Sequence, residues 1–436
     1  MLSVKLTDRL KKSADSMNRN LVPLWLFADK DIYAMERTKL FTKSWIFVGH
    51  TSEFQRWDYL QRYVGDIPVI LTNKDHVRGF LNLCPHRGAK ILREDAGRGD
   101  IFRCQYHGWT FSHKGNFLGA PMQNTIYGEM DTSDFGLIPI SCETYEGLIF
   151  CSIKPKKNLQ EFLGDVKFYI DMIAKRSDGL EFSSPQRWII RANWKTIVDN
   201  FIGDAWHFLT AHGWLREVGV GIQDLRLTSI TGVIRLKGGH GVLFTGPSSD
   251  DFPDIPRPLF YPIWWPNLLE KAKNKLSREE FIVWTKYATY EMLGHIFPNL
   301  AIGNVAYSPS EKEPPVPILV FRVWRPISNT ETEIWTWMAF DIDEPNQLKT
   351  KSRETFLRLF GAGGAVEHDD IVMWEGMTEN SMKLSHMEID LKYYGGARQS
   401  ASSFEGLGDF FYGGNYEGNT ISFLKEYINY LEDDTE

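Results

Sequence analysis

The chain is 436 residues long, 43% hydrophobic and 24% charged, a composition that suits a soluble, core-forming protein with room for two domains. Its net charge is −7, and Lys and Arg gather only in short groups such as Arg9, Lys11 and Lys12, so nucleic acid is not an expected partner. No stretch approaches the roughly 18 apolar residues of a membrane span, and the opening segment lacks a signal-type apolar run; the expected location is the cytoplasm.

In chain order, residues 1–37 read as helix, turn, helix. Asp29 or Asp31 is placed to cap the second helix, and Ile32, Met35, Leu40 and Phe41 recur at helical spacing. From about 43 to 154 the pattern changes to short β-branched and aromatic runs broken by Gly, Asp and Asn, which predicts a small antiparallel β domain. After Pro155, helix-like stretches at Leu159–Lys175 and Trp194–Thr210 alternate with long strand candidates, including residues 229–238, 317–326 and 332–342. Helical stretches around 347–382 and 420–433 close the chain, and residues 238–258, rich in Gly, Pro, Ser and Asp, read as a loop. The whole predicts an α+β fold in which an antiparallel sheet carries helices.

Four cysteines occur. In a reducing compartment such sparse cysteines point to metal ligands or buried thiols rather than disulfides. Cys142 and Cys151 lie in apolar, strand-like stretches without a nearby histidine, which predicts two core residues. Cys84 and Cys104 differ, because each has a histidine close by: Cys84-Pro85-His86-Arg87-Gly88 and Cys104-Gln105-Tyr106-His107-Gly108-Trp109. Two such loops facing each other offer two thiolates and two imidazoles. Zinc accepts that set, but zinc fingers usually pair Cys with Cys and His with His along the chain. Here each loop can give its Cys to one iron and its His to another, the ligand pattern of a Rieske 2Fe-2S centre.

A second candidate site lies in Asn193–His212. Asp204 and His207 are three residues apart and share a helix face, whereas His207 and His212 are five apart and diverge on an unbroken helix. They can share a metal only if the helix bends, widens or ends between them. Two histidines and one carboxylate with open positions form the facial-triad pattern of non-haem Fe(II) oxygen chemistry. The carboxylate comes from the segment after the glycine-rich break at 361–364, where Glu367, Asp369 and Asp370 are all candidates. That break starts like a dinucleotide fingerprint, but Val366 stands where the last glycine belongs and no strand precedes it, so a nicotinamide or flavin module is not expected.

The two motifs together resemble the large (alpha) subunit of Rieske non-haem iron aromatic-ring-hydroxylating oxygenases, over nearly the whole chain. The resemblance implies an N-terminal helical segment (1–37) packing on the catalytic domain, a Rieske domain (38–155), and a helix-grip-like catalytic domain (156–436) with an antiparallel sheet. It implies that Cys84 and Cys104 hold one iron of the cluster and His86 and His107 the other. It puts His207, His212 and Asp370 on a mononuclear Fe(II), and makes Asp204 a bridge from His207 to the cluster histidine His107 of a neighbouring subunit. An alpha trimer with three small beta subunits, fed by a ferredoxin and an NAD(P)H-dependent reductase, would then add both atoms of O2 to an aromatic substrate, giving a cis-dihydrodiol. Asn200, Phe201, Phe208, His295, Asn299, Phe360 and Val366 match positions lining the family's substrate pocket. The alternative within the resemblance is a monooxygenase or demethylase built as an alpha-only trimer. A lone electron-carrying ferredoxin does not fit, since a cluster domain needs about a quarter of this length.

Overall fold

The computed structural model describes residues 2–129, 131–204, 206–218, 230–246, 261–288, 291–310, 312–413 and 416–433. By its internal contacts the chain divides into two units, Phe41–Leu159 and Met1–Leu40 together with Gln160–Glu436. Helices and antiparallel sheets make up both, the α+β class expected from the sequence. Among the described residues no helix is long and apolar enough to cross a membrane.

In the smaller unit a seven-stranded antiparallel sheet runs in the order Ile46–His50, Leu148–Ser152, Pro139–Tyr145, Val77–Leu81, Ile67–Asn73, Tyr59–Val64, Ala96–Gly97. Three further strands, Ile101–Arg103, Thr110–Ser112 and Phe117–Gly119, form a separate sheet. Ile70, Phe80, Phe102, Phe111 and Leu137 pack into one apolar cluster that also takes in Cys84, Cys104 and Trp109. One cysteine expectation is corrected: Cys142 and Cys151 form a disulfide. They face each other across a hairpin closed by a two-residue turn at Glu146-Gly147, and both turn residues have positive φ. Their Cα atoms lie 4.3 Å apart, the close spacing of directly opposed antiparallel positions. Equal distance from the turn was the available sequence signal.

In the larger unit a nine-stranded antiparallel sheet has Leu300–Tyr307 and Val316–Pro326 at its centre, flanked by Thr332–Asp341 on one side and Glu291–Ile296, Gly241–Thr245, Ile230–Arg235 and Asp409–Tyr412 on the other. Leu300–Tyr307 is buried throughout, as expected for a strand covered on both faces. On one face, alternate residues Leu293, Val305, Tyr307, Ile318, Val320, Met338 and Phe340 meet helical residues Phe356, Leu359 and Val366. On the other, Arg176 reaches Asp341 and Asn304, and Tyr261 donates to Asn304.

Asp29, not Asp31, caps the second N-terminal helix, accepting from the backbone of Asp31 and Ile32. Gly241–Thr245 is a strand, which corrects part of the loop expected over 238–258; residues 247–260 lie outside the described residues. The helix expected over Trp194–Thr210 is also interrupted. It ends at Gly203, and Asp204 is extended. Its start is fixed by Asn193, whose side chain accepts from the Lys195 backbone, and by buried Glu36, which receives Trp194 Nε1, the Lys195 ammonium and the Tyr427 hydroxyl.

Candidate functional site

In the smaller unit, two loops of nearly the same shape bring Cys84, His86, Cys104 and His107 together. In the first, Cys84 N donates to Ala89 O and Gly88 N to Cys84 O; in the second, Cys104 N donates to Trp109 O and Gly108 N to Cys104 O. Gly88 and Gly108 have φ of 72° and 71°, the left-handed region that lets each loop turn back after its histidine. Asn82 braces the first loop, its side chain accepting from Ile91 and Leu92 N and donating to Leu92 O. The His86 ring stacks on Trp109 at 4.9 Å and Trp109 stacks on Phe135 at 5.0 Å, while Trp109 Nε1 donates to Tyr127.

The two thiols are free, buried and in contact, and the His86 and His107 ring centroids are 4.5 Å apart. Burial pushes the Cys84 thiol up to about 11. His86 Nδ1 is buried with no hydrogen-bond partner. Two soft thiol donors and two imidazoles, one with an orphaned ring nitrogen, fit a cluster whose two irons differ in ligand type.

In the larger unit, the break after Gly203 carries the second site. Asp204 accepts from the backbone N–H of Trp206 and His207, and a short helix Phe208–Ala211 then separates His207 from His212. The two imidazoles that would diverge on an unbroken helix thereby come to 5.4 Å between ring centroids. His207, His212 and Asp370 each offer a donor atom, all within 4.8 Å of one another. His212 Nε2 lies 3.1 Å and His207 Nε2 3.7 Å from Asp370 Oδ1. Asn200 Nδ2 is 3.4 Å from His207 Nε2. Burial lowers the affinity of His212 for a proton, but Asp370 and Asp369 outweigh it and leave the ring above its ordinary range. Two imidazoles and a carboxylate held this close in a partly buried site fit a divalent iron.

The geometry separates the three carboxylates left open by sequence. All belong to the helix Ala365–Leu384, and each has its own set of partners. Glu367 is buried in an ion pair with Arg322, which also donates to Phe360 O. Asp369 accepts from His212 Nδ1 at 3.1 Å and from Trp214 Nε1 at 2.6 Å. Asp370 faces both histidines.

The expected pocket residues divide into two groups. Phe208, Phe360 and Val366 belong to the apolar cluster beside the triad, and Phe201 packs on Trp324 and Trp374. His295 and Asn299 hold a turn: His295 Nε2 is 3.1 Å from Pro298 O, and Asn299 Nδ2 donates to Trp324 O. Residues 219–229 and 247–260 lie outside the described residues.

Known protein families match both parts of the chain. Residues 44–137 match the Rieske [2Fe-2S] domain, and residues 161–412 match the ring hydroxylating alpha subunit (catalytic domain). The chain belongs to the ring-hydroxylating alpha-subunit family. It is 32% identical to the N,N-dimethyl phenylurea N-demethylase subunit alpha of Sphingobium sp., covering 98% of this chain and 95% of that one. It is 30% identical to the biphenyl 2,3-dioxygenase subunit alpha of Rhodococcus jostii, over 80% and 75% of the two chains. Among solved structures, naphthalene 1,2-dioxygenase from Rhodococcus sp. bound to indole is similar over 100% of both chains, with TM-score 0.93 and 32% identity. This alpha subunit is therefore a Rieske oxygenase with a 2Fe-2S cluster and a non-haem Fe(II).

Sequence reasoning missed Trp214 and Glu291, and took Asp369 for a rival of Asp370 instead of the group that holds His212. For Glu291 a signal existed: it is in phase with Leu293 on a short strand, so alternation turns it toward the apolar face.

Proposed function

We propose that this alpha subunit is the terminal oxygenase component that dihydroxylates an aromatic ring to a cis-dihydrodiol, using O2 and electrons from a ferredoxin and an NAD(P)H-dependent reductase. The observation that carries the reading is the convergence of His207, His212 and Asp370 beside an apolar cluster. In this reading Cys84, His86, Cys104 and His107 would hold the 2Fe-2S cluster, and His207, His212 and Asp370 the Fe(II). When bound, that iron supplies O2 activation at its vacant positions. Asp369 fixes the orientation of the His212 ring through Nδ1, the usual task of a carboxylate behind a metal-bound histidine. Phe208, Phe360 and Val366 exclude water from the reacting face.

Asp204 is 37% exposed and borders His207, which suits a bridge reached from a neighbouring subunit in an alpha trimer with small beta subunits. Under this reading Asp204→Asn keeps both metals bound and slows single-turnover reduction of the iron site; a wild-type rate would overturn the bridge.

A demethylase reading has one specific support, the Sphingobium relative that matches this alpha subunit over nearly its full length. Reconstitution with electron donors, arenes and aryl ureas under isotopically labelled O2 separates the two. A diol carrying two labelled oxygens is the expected product; formaldehyde released from an N-methyl substrate, without diol, points to the demethylase. A small subunit of about half this size co-purifying with the chain supports the first reading.

A further inference from the structure

A buried carboxyl group, Glu291, borders the apolar wall beside the iron-site residues, and its surroundings are specific. Glu291 starts the strand Glu291–Ile296, and the pleat places it on the same face as Leu293, which packs with Val305, Tyr307, Val320 and Phe208. Thr245 lies directly opposite on the neighbouring strand, just as Leu243 lies opposite Leu293. Thr245 Oγ1 donates to Glu291 Oε2 at 3.0 Å, and the Tyr307 hydroxyl lies near the same carboxyl group. Tyr307 in turn packs against Phe208, which lies beside His212, and against Phe360.

Glu291 is buried, and burial pushes its carboxyl up to about 7. It is also near enough to His207 and His212 for their charges to act on it. Burying a carboxyl group in an apolar wall is unfavourable unless something satisfies it. Among the described residues it accepts a hydrogen bond from the Thr245 hydroxyl and pairs with no lysine or arginine. A wall that served only to hold a plain hydrocarbon would be better filled by Leu or Met at this position.

We propose that Glu291, held in place by Thr245, is a specificity-determining residue that accepts a hydrogen bond from an N–H group on the aromatic substrate. The substrate class is then an arene bearing a ring or side-chain N–H, and not an unsubstituted hydrocarbon. An N–H anchored there turns one edge of the ring toward the sheet and presents another to the triad. The inference rests on the ring-oxygenase reading only for where the substrate lies.

Indole and indene test it, because they share size and shape and differ in N–H against CH2. Calorimetric binding of each to the cluster- and iron-loaded oxygenase, followed by kcat and KM with reconstituted donors, gives two independent readouts. The wild type is expected to bind indole about tenfold more tightly than indene, a difference that appears in KM and not in kcat. Glu291→Gln, which still accepts a hydrogen bond, should retain the preference, and Glu291→Leu should bring the ratio to about one. Should the Leu variant not fold, Thr245→Val carries the test and must narrow the same ratio. A wild type that does not discriminate, or an unchanged ratio in Glu291→Leu or its substitute, overturns the proposal. Because binding is read without turnover, an enzyme that forms no diol but still prefers indole would refute ring dihydroxylation and leave the role of Glu291 standing.

Discussion

The two metal sites of this alpha subunit are built in opposite ways. The cluster loops are local: each Cys and its His are two or three residues apart, each loop closes with its own backbone hydrogen bonds, and a glycine completes each turn. The iron site is assembled from distant pieces, with His212 just past the short helix Phe208–Ala211 and Asp370 on the helix Ala365–Leu384, beside a Glu367 that Arg322 on a central strand holds in an ion pair. A local site can be read from spacing and broken within one loop. A distributed site depends on tertiary packing and can be broken from outside its ligands.

The largest expected effects test that separation. His207→Ala should abolish turnover while the EPR signal of the reduced cluster persists, because no part of the cluster loops depends on that ring. Surviving turnover would remove His207 from the iron site. Next comes the distributed support. Glu367→Ala leaves Arg322 buried without its partner and should cost about 3–5 kcal/mol of stability in the larger unit. Urea unfolding of that unit, followed separately from bleaching of the cluster, checks this; loss of the cluster at the same midpoint in every variant would mean that the two regions do not behave separately.

Smaller effects sharpen the comparison. Asp369→Asn keeps a side chain of the same size beside His212 and Trp214 but removes its charge. Iron affinity should then fall by about 10–100-fold, read as iron retained after chelator dialysis. The equivalent perturbation in the smaller unit is Asn82→Ala, which removes the brace of the first cluster loop and leaves buried backbone N–H groups of Ile91 and Leu92 unpaired. It should cost about 1–3 kcal/mol and speed cluster loss without changing iron content.

The same contrast explains what was legible in the sequence. Cys84, His86, Cys104 and His107 stood out because spacing alone shows two alike loops, and flanking glycines mark where each must turn. Spacing also showed that His207 and His212 could meet only if a helix bent, widened or ended between them; the helix from Trp194 ends at Gly203, before both, and the short helix Phe208–Ala211 ends before His212. What spacing could not settle was Glu367 against Asp369 and Asp370. The three lie within about one helical turn, and what separates them is their partners on other elements: Arg322 for Glu367, Trp214 and His212 for Asp369, and both histidines for Asp370. Long runs of apolar, β-branched and aromatic residues likewise stood out as the strands Val316–Pro326 and Thr332–Asp341, but alternation played no part there, since both are buried on nearly every residue. Such runs did not show that Gly241–Thr245, buried in a Gly- and Pro-rich stretch, is recruited by its neighbours into the sheet. The Cys142–Cys151 pair was missed because compartment was weighed above hairpin geometry.

The most direct test of two separately built sites is a reciprocal metal analysis of Asp370→Ala and Cys104→Ala by Mössbauer and EPR spectroscopy on the full chain. The account predicts that Asp370→Ala loses the mononuclear iron and keeps the 2Fe-2S signal, while Cys104→Ala loses the 2Fe-2S signal and still takes up iron at the triad. Full iron occupancy in Asp370→Ala, or loss of both centres in either variant, would contradict it.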